Sequence, residues 1–414
     1  MIGTGVFTSL GFQLIELQSA PVLLMLWLVG GVSALCGALC YAELGAALPR
    51  SGGEYNFLTE IYHPAAGFVS GWVSATVGFA APTALAALTF GSYLSSVIEG
   101  LSPLWLATGL ILILTAAHCT SHRGSGGTQM WLTLLKLVLI VGFSIAALIF
   151  SDADSGASFQ FVEGDGALLT SGAFAIALIY VNYAYSGWNA ATYISGELES
   201  PQKNLPWVLA LSTISVCITY LLLNFVFLAV APMEAMVGKV EVGFIAATYA
   251  FGEWAGRLMG LVLALLLIST VSAMILAGPR VLHRIGEDYP LFEPLARVNK
   301  DGIPVWAITF QSIVALAFLW TSSFERILVF AGATMALNTF FTVLGLFILR
   351  WRRPDLPRLF RVTFYPVTPL IFLAITGWTL LYVVLQRPVE AAIAVGIVVA
   401  GVAIFVVSRD ARHE

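Results

Sequence analysis

Two short segments carry residue types that could bind a small polar molecule without a formal charge. Gly3-Thr4-Gly5-Val6-Phe7 opens the sequence, and Tyr183-Ala184-Tyr185-Ser186-Gly187-Trp188-Asn189 lies near its middle. Both sit in stretches free of Asp, Glu, Lys and Arg. A glycine weakens a helix by about 1 kcal/mol and lets a ligand approach the backbone closely. A helix broken at such a place presents N–H groups with a positive dipole end, or C=O groups with a negative one. Gly3, Thr4 and Gly5 could donate to a carboxylate. The carbonyls of Tyr183, Ala184 and Ser186, freed by a break at Gly187, could accept from an ammonium. The competing reading is that these glycines only allow close helix packing.

A third candidate is Lys136, alone in the apolar run Trp131-Leu132-Thr133-Leu134-Leu135-Lys136-Leu137-Val138. A lysine at the centre of a bilayer costs about 2.5–3.5 kcal/mol on insertion scales. It either serves function or snorkels to the nearer surface. His118 and His122 have the i,i+4 spacing of a helical metal chelate, but no acidic third ligand is near. They read as a segment leaving the membrane, and no metal or cofactor is expected. Glu43 and Glu197 lie at the ends of apolar windows, where basic partners are expected for them.

The elements that position these residues follow from composition. Of 414 residues, 59% are hydrophobic and 10% charged, with mean hydropathy +0.92. Soluble domains carry about 25% charged residues, so a water-soluble enzyme is excluded. Charge-free windows such as 17–42, 166–196 and 258–279 match the roughly 17–25 residues of a membrane helix. They are apolar throughout, unlike the alternating strands of a membrane barrel. The fold class is therefore an all-α polytopic membrane protein. Twelve spans are expected, the first from residue 1 to about 15 and the others near 20–46, 65–97, 102–118, 129–150, 168–196, 206–231, 256–279, 304–321, 327–349, 364–385 and 390–408. Pro82 could kink the third.

The two breaks fall in spans 1 and 6, five apart. An odd-numbered repeat inverts its topology, so this is the pattern of a 5+5 inverted repeat with two further spans. The chain reads as one transmembrane domain: 1–150 as the first repeat, 167–349 as the second, and 350–414 as the last two spans and tail. If the even-numbered connections are cytoplasmic, fourteen of the 19 Lys and Arg lie on that side and four outside, with Lys136 in a span. The positive-inside rule then places both termini in the cytoplasm of a multi-pass protein in the cell (inner) membrane.

Three further segments join the two breaks in this pattern: Leu48-Pro49-Arg50-Ser51-Gly52-Gly53-Glu54-Tyr55, Glu197 and Ser200-Pro201-Gln202-Lys203-Asn204-Leu205-Pro206. With these, the chain resembles the amino acid–polyamine–organocation (APC) superfamily over essentially its whole length, and most of all its bacterial L-type permeases. The resemblance implies a secondary amino acid transporter working by alternating access. It places an aromatic gate at Tyr183 and a side wall of the substrate pocket at Asn189. It also puts Lys136 where sodium-coupled relatives hold the ion, against the span-1 break and the span-8 hydroxyls, here Ser269 and Ser272. A lysine that can release its proton could carry one through the cycle. Exchange without protons, or transport of another small amine, stays open. Family members have a cytoplasmic tail and an inner half of span 1 ahead of the glycines. This sequence opens at the break, so a start placed too late or a truncated form is expected; if the chain is truly this short, its site lacks one wall.

Other classes fit less well. The five histidines stand at span ends, in loops or in the tail, and no HExxH, GxSxG or intramembrane Asp pair occurs, so an enzyme is not expected. Neither a channel filter nor an ATP-binding motif is present. No nucleic-acid partner is implied. The arginines from Arg350 to Arg361 could touch anionic membrane lipid, and a monomer or weak homo-oligomer is expected.

Overall fold

The computed structural model describes residues 2–50, 52–120, 125–193 and 201–410. The described residues form helices joined by short connections. In chain order they are α1 (Gly5–Gln13), α2 (Ala20–Ala47), α3 (Glu54–Ile61), α4 (Pro64–Val73), α5 (Ala80–Val97), α6 (Pro103–Thr120), α7 (Ser125–Phe150), α8 (Asp165–Leu168), α9 (Gly172–Tyr185) and α10 (Ala190–Tyr193). The second half holds α11 (Pro201–Val230), α12 (Met233–Met236), α13 (Val242–Phe251), α14 (Glu253–Asp288), α15 (Glu293–Ala296), α16 (Val305–Thr321), α17 (Phe324–Arg352), α18 (Val367–Gln386) and α19 (Pro388–Asp410). Among the described residues, nine helices are long and apolar enough to cross a membrane. Three shorter apolar helices, α9, α13 and α16, accompany them. A helix occupies each window read from the sequence.

Burial sorts these helices into a centre and a rim. The most apolar part of the 64–97 stretch is 72% buried, against 17% for α6 and 22% for α19. A side chain facing lipid needs no protein partner, so the rim helices stay apolar all round. Exposed tryptophans mark both ends, as at membrane–water interfaces. Trp207, Trp306 and Trp351 lie at the end that carries Arg350 and Arg353, here the basic end. Trp105 and Trp320, with rings 4.8 Å apart, lie at the other.

Two departures from the sequence reading have physical causes. The third window was expected to bend at Pro82, and the irregularity lies one turn earlier, as a π turn over Ser74–Gly78. Pro82 offers no N–H and its ring crowds the carbonyl four residues back, that of Gly78. One extra residue in the preceding turn relieves both constraints. The second departure is α13, an apolar helix inside what reads as a loop. Its ten residues are too short to span, and Lys239, Glu241 and Glu253 flank them. It packs inward instead. The buried Tyr93 hydroxyl donates to the Phe7 carbonyl at 3.0 Å and accepts from the Gly243 N–H at 3.0 Å, pinning α1 and α13 to α5.

The basic end is locked by Glu43 of α2, which is fully buried. Arg350 donates to both carboxylate oxygens at 2.8 and 2.6 Å, and Arg358 approaches at 3.5 Å. The Val362 N–H completes the set at 2.6 Å. Glu197 lies outside the described residues. Removing one partner of a buried pair costs about 3–5 kcal/mol, because the other charge stays buried. Glu43→Ala should therefore lower the thermal unfolding midpoint in detergent sharply. Adding Arg350→Ala should cost less than the two single changes summed. Unfolding at the wild-type temperature would refute this.

Candidate functional site

The two breaks predicted from sequence meet face to face. A Cβ on Gly5 would lie 2.4 Å from the Ala184 Cα, so the backbones of α1 and of the end of α9 are in direct contact. Only glycine fits there. The helix starts at Gly5, and its N-cap, Thr4, makes no side-chain capping bond. The first N–H groups of a helix have no partner within it. Here Gly3, Thr4 and Gly5 line a cavity. The Thr4 carbonyl is used within the turn, by the Phe7 N–H at 3.0 Å and the Thr8 hydroxyl at 3.1 Å.

The opposing end is the last turn of α9. Ser186 leaves the helix with ψ 152°, and Gly187 adopts φ +92°, which disfavours any side chain. The Tyr183 carbonyl accepts from the Ser186 N–H at 3.0 Å. Tyr220 of α11 donates to the Ala184 carbonyl at 3.1 Å. A carbonyl has two lone pairs, so both keep capacity for another donor. The chain then re-enters a helix at α10.

The cavity has a volume of about 800 Å³, within the usual range for a small-molecule site of about 300–1,000 Å³. Both breaks line it, with the π turn, α7, α14 and α17 as further walls. Among the described residues its charged lining consists of Lys136 and, at its mouth on α14, Arg280, Arg284 and Glu287. The mouth faces the basic end: Tyr55 of α3 donates to Asp288 at the end of α14, while Glu60 of the same helix pairs with Arg353 at 3.2 Å. Burial, then the Asp288 hydrogen bond, push the Tyr55 phenol well above its ordinary pKa and keep it the donor. At the opposite end, Phe12 stacks between Tyr180 at 6.2 Å and Phe324 at 5.1 Å. Glu325 there accepts from Tyr180 at 3.2 Å and from Arg387 at 2.8 Å.

All the sequence-derived break residues, Gly3, Thr4, Gly5, Tyr183, Ala184, Ser186, Gly187 and Asn189, line this one cavity. The Tyr183 and Thr4 hydroxyls are 3.3 Å apart. Lys136 is 4% exposed and also faces the cavity, but its hydroxyl partner differs from the expectation. Its Nζ donates to Thr270 at 2.8 Å. Ser269 instead donates to the Leu266 carbonyl at 2.7 Å, and Ser272 pairs with His118 at 2.8 Å. Neighbouring residues of a helix point about 100° apart, so one of the three hydroxyls faces α7, and composition alone does not say which. The bond to Ser272 also gives His118 a structural place; His122 lies outside the described residues. No group of metal-ligating side chains occurs among the described residues. Sequence reasoning missed Tyr220 and Thr270, whose roles depend on helix register, and Glu54, discussed below.

Gly5→Ala should therefore leave an inserted protein with less than about a tenth of wild-type uptake, since the added methyl meets backbone that cannot move aside. Gly187→Ala should also lose activity, through strain of about 1–3 kcal/mol. Uptake in proteoliposomes, with yield and monodispersity as controls, checks both. Near-normal rates would assign these glycines to packing alone.

A family model described as amino acid permease matches residues 1–408. The large neutral amino acids transporter small subunit 2 of Mus musculus is 29% identical over 439 aligned residues, covering 100% of this chain and 79% of the relative. The b(0,+)-type amino acid transporter 1 of Mus musculus is 27% identical, covering 94% and 80%. The Asc-type amino acid transporter 1 of the same species is 27% identical, covering 98% and 78%. The family is one of membrane transporters rather than enzymes. With its apolar helices and its paired helix breaks around one cavity, the chain belongs to the amino acid permeases of the APC superfamily.

Proposed function

We propose that the protein moves neutral amino acids by alternating access, binding the substrate between the α1 start and the α9 end. The observation that carries this is the contact of Gly5 with Ala184, which sets the start of α1, whose first N–H groups have no partner within the helix, against the end of α9 in one cavity. The substrate carboxylate docks on Gly3, Thr4 and Gly5, and its ammonium on the carbonyls from Tyr183 to Ser186. The lining beside the breaks has no acidic residue to select a cationic side chain. The printed name of the first relative above, a transporter of large neutral amino acids, points the same way. Helices at all twelve windows support twelve spans in a 5+5 inverted repeat with two more, and the basic residues support cytoplasmic termini. On that orientation the cavity opens inward, with the Phe12 stack as the outer seal.

Proteoliposome uptake of labelled leucine or alanine, competed with arginine and with glutamate, tests the substrate class. Unlabelled neutral amino acids should compete and the charged ones should not. Strong competition by arginine alone would contradict it.

Lys136 is the coupling group in this account. Charged, its ammonium holds α7 to Thr270 of α14 beside the α1 start. Loss of the proton releases that contact and shifts the equilibrium between the two faces. Lys136→Ala should remove the dependence of uptake on an imposed pH gradient. Lys136→Arg should not restore it, because arginine does not release its proton. If wild-type uptake ignores the gradient and needs amino acid on the far side, exchange replaces symport and Lys136 is a fixed cation.

A further inference from the structure

Glu54 is fully buried and stands outside the mechanism described so far. It is the acidic residue of the Ser51-Gly52-Gly53-Glu54-Tyr55 stretch and the first residue of α3. Among the described residues no Lys, Arg or His pairs with it. Its Oε1 accepts from Tyr41 of α2 at 3.0 Å and from the side-chain amide of Asn189. The Tyr193 phenol of α10 faces the same carboxyl group and also Ser74 of the π turn. Among the described residues, Oε2 is buried with no hydrogen-bond partner at normal geometry.

A carboxyl group without a cation is costly inside a protein, so the site calls for a reason. Its surroundings supply one. Oε1 accepts from donors on two different segments, α2 and the turn leading into α10, as an oxygen with several acceptor sites can. The backbone is shaped to deliver it. Gly52 and Gly53 adopt φ +125° and +54°. A Cβ on Gly53 would sit 3.0 Å from the Tyr193 ring and 3.2 Å from the Thr192 hydroxyl. The double glycine thus lets the α2–α3 connection lie flush against α10.

We propose that Glu54 is a positioning residue of the transport cycle. It docks α10, and with it the Asn189 wall of the cavity, onto the α2–α3 connection. Glu54 supplies the anchor. What it contributes is an acceptor oxygen at a fixed place, not a charge. The role rests on the transport reading above, because its readout is uptake.

Three variants separate geometry from charge. Glu54→Gln keeps the acceptor oxygen and removes the charge; its KM should stay within about threefold of wild type. Glu54→Asp keeps the charge and withdraws it by one methylene; its KM should rise about tenfold. Glu54→Ala should behave like Asp or worse, and adding Asn189→Ala to it should change KM little further. An Asp variant better than Gln would overturn the proposal and assign the role to the charge. An Ala variant with wild-type KM would overturn it too. If the Ala variant does not fold, the Gln against Asp ranking still decides. Wild-type protein that takes up no amino acid would instead count against the transport reading, so the two failures are distinguishable.

Discussion

A backbone N–H or C=O inside a membrane must find a partner, because lipid offers none. Most of this chain meets that demand with continuous helices. At the start of α1 and the end of α9 it does not, and the rest of the molecule is arranged around those two places. The Gly5–Ala184 contact holds them together at a distance only glycine permits. Each end can satisfy part of its own need with local turns. What remains, a donor edge facing an acceptor edge, matches the charge separation of an amino acid backbone. In the proposed reading, the unsatisfied backbone is the site.

The neighbouring side chains leave that field undisturbed. Around the breaks the supporting partners are mostly phenols rather than charges: Tyr220 on the Ala184 carbonyl, Tyr93 on the Phe7 carbonyl, Tyr185 on the Trp27 carbonyl and Tyr183 beside Thr4. A hydroxyl fixes a carbonyl in place without adding a net charge that would compete with the substrate. The full charges stand off from the breaks, with Glu43 and its arginines at the basic end and Glu325 with Arg387 at the other. Lys136 and Glu54 are the exceptions. Both are buried, Lys136 in the lining of the cavity and Glu54 bonded to Asn189 after the second break, and each is held by neutral groups.

Much of this was legible from sequence. Span positions follow from charge-free windows, because a charge in the hydrocarbon core is costly unless it is paired or snorkels to the surface. The breaks follow from glycine chemistry in those windows. Register does not follow. Which of Ser269, Thr270 and Ser272 meets Lys136 depends on how α14 is rotated against α7, and an all-round apolar helix carries no stripe to report it. The π turn escaped because proline marks that a distortion exists without fixing its form. Glu54 stands in the Leu48–Tyr55 segment with no local feature that marks it out. Its partner Asn189 is 135 residues away, and nothing near Glu54 in sequence signals that contact.

The central claim is that opposed helix ends bind the two charged groups of the substrate backbone. Equilibrium binding of labelled leucine to the purified protein, competed by analogues that lack one group each, tests it most directly. Leucinol has no carboxylate and 4-methylpentanoate has no ammonium. A hydrogen bond to a charged group is worth about 1.5–3 kcal/mol, so each analogue should compete at least about tenfold more weakly than leucine. Equal competition by either one would contradict the account, because the corresponding helix end would then contribute nothing to recognition.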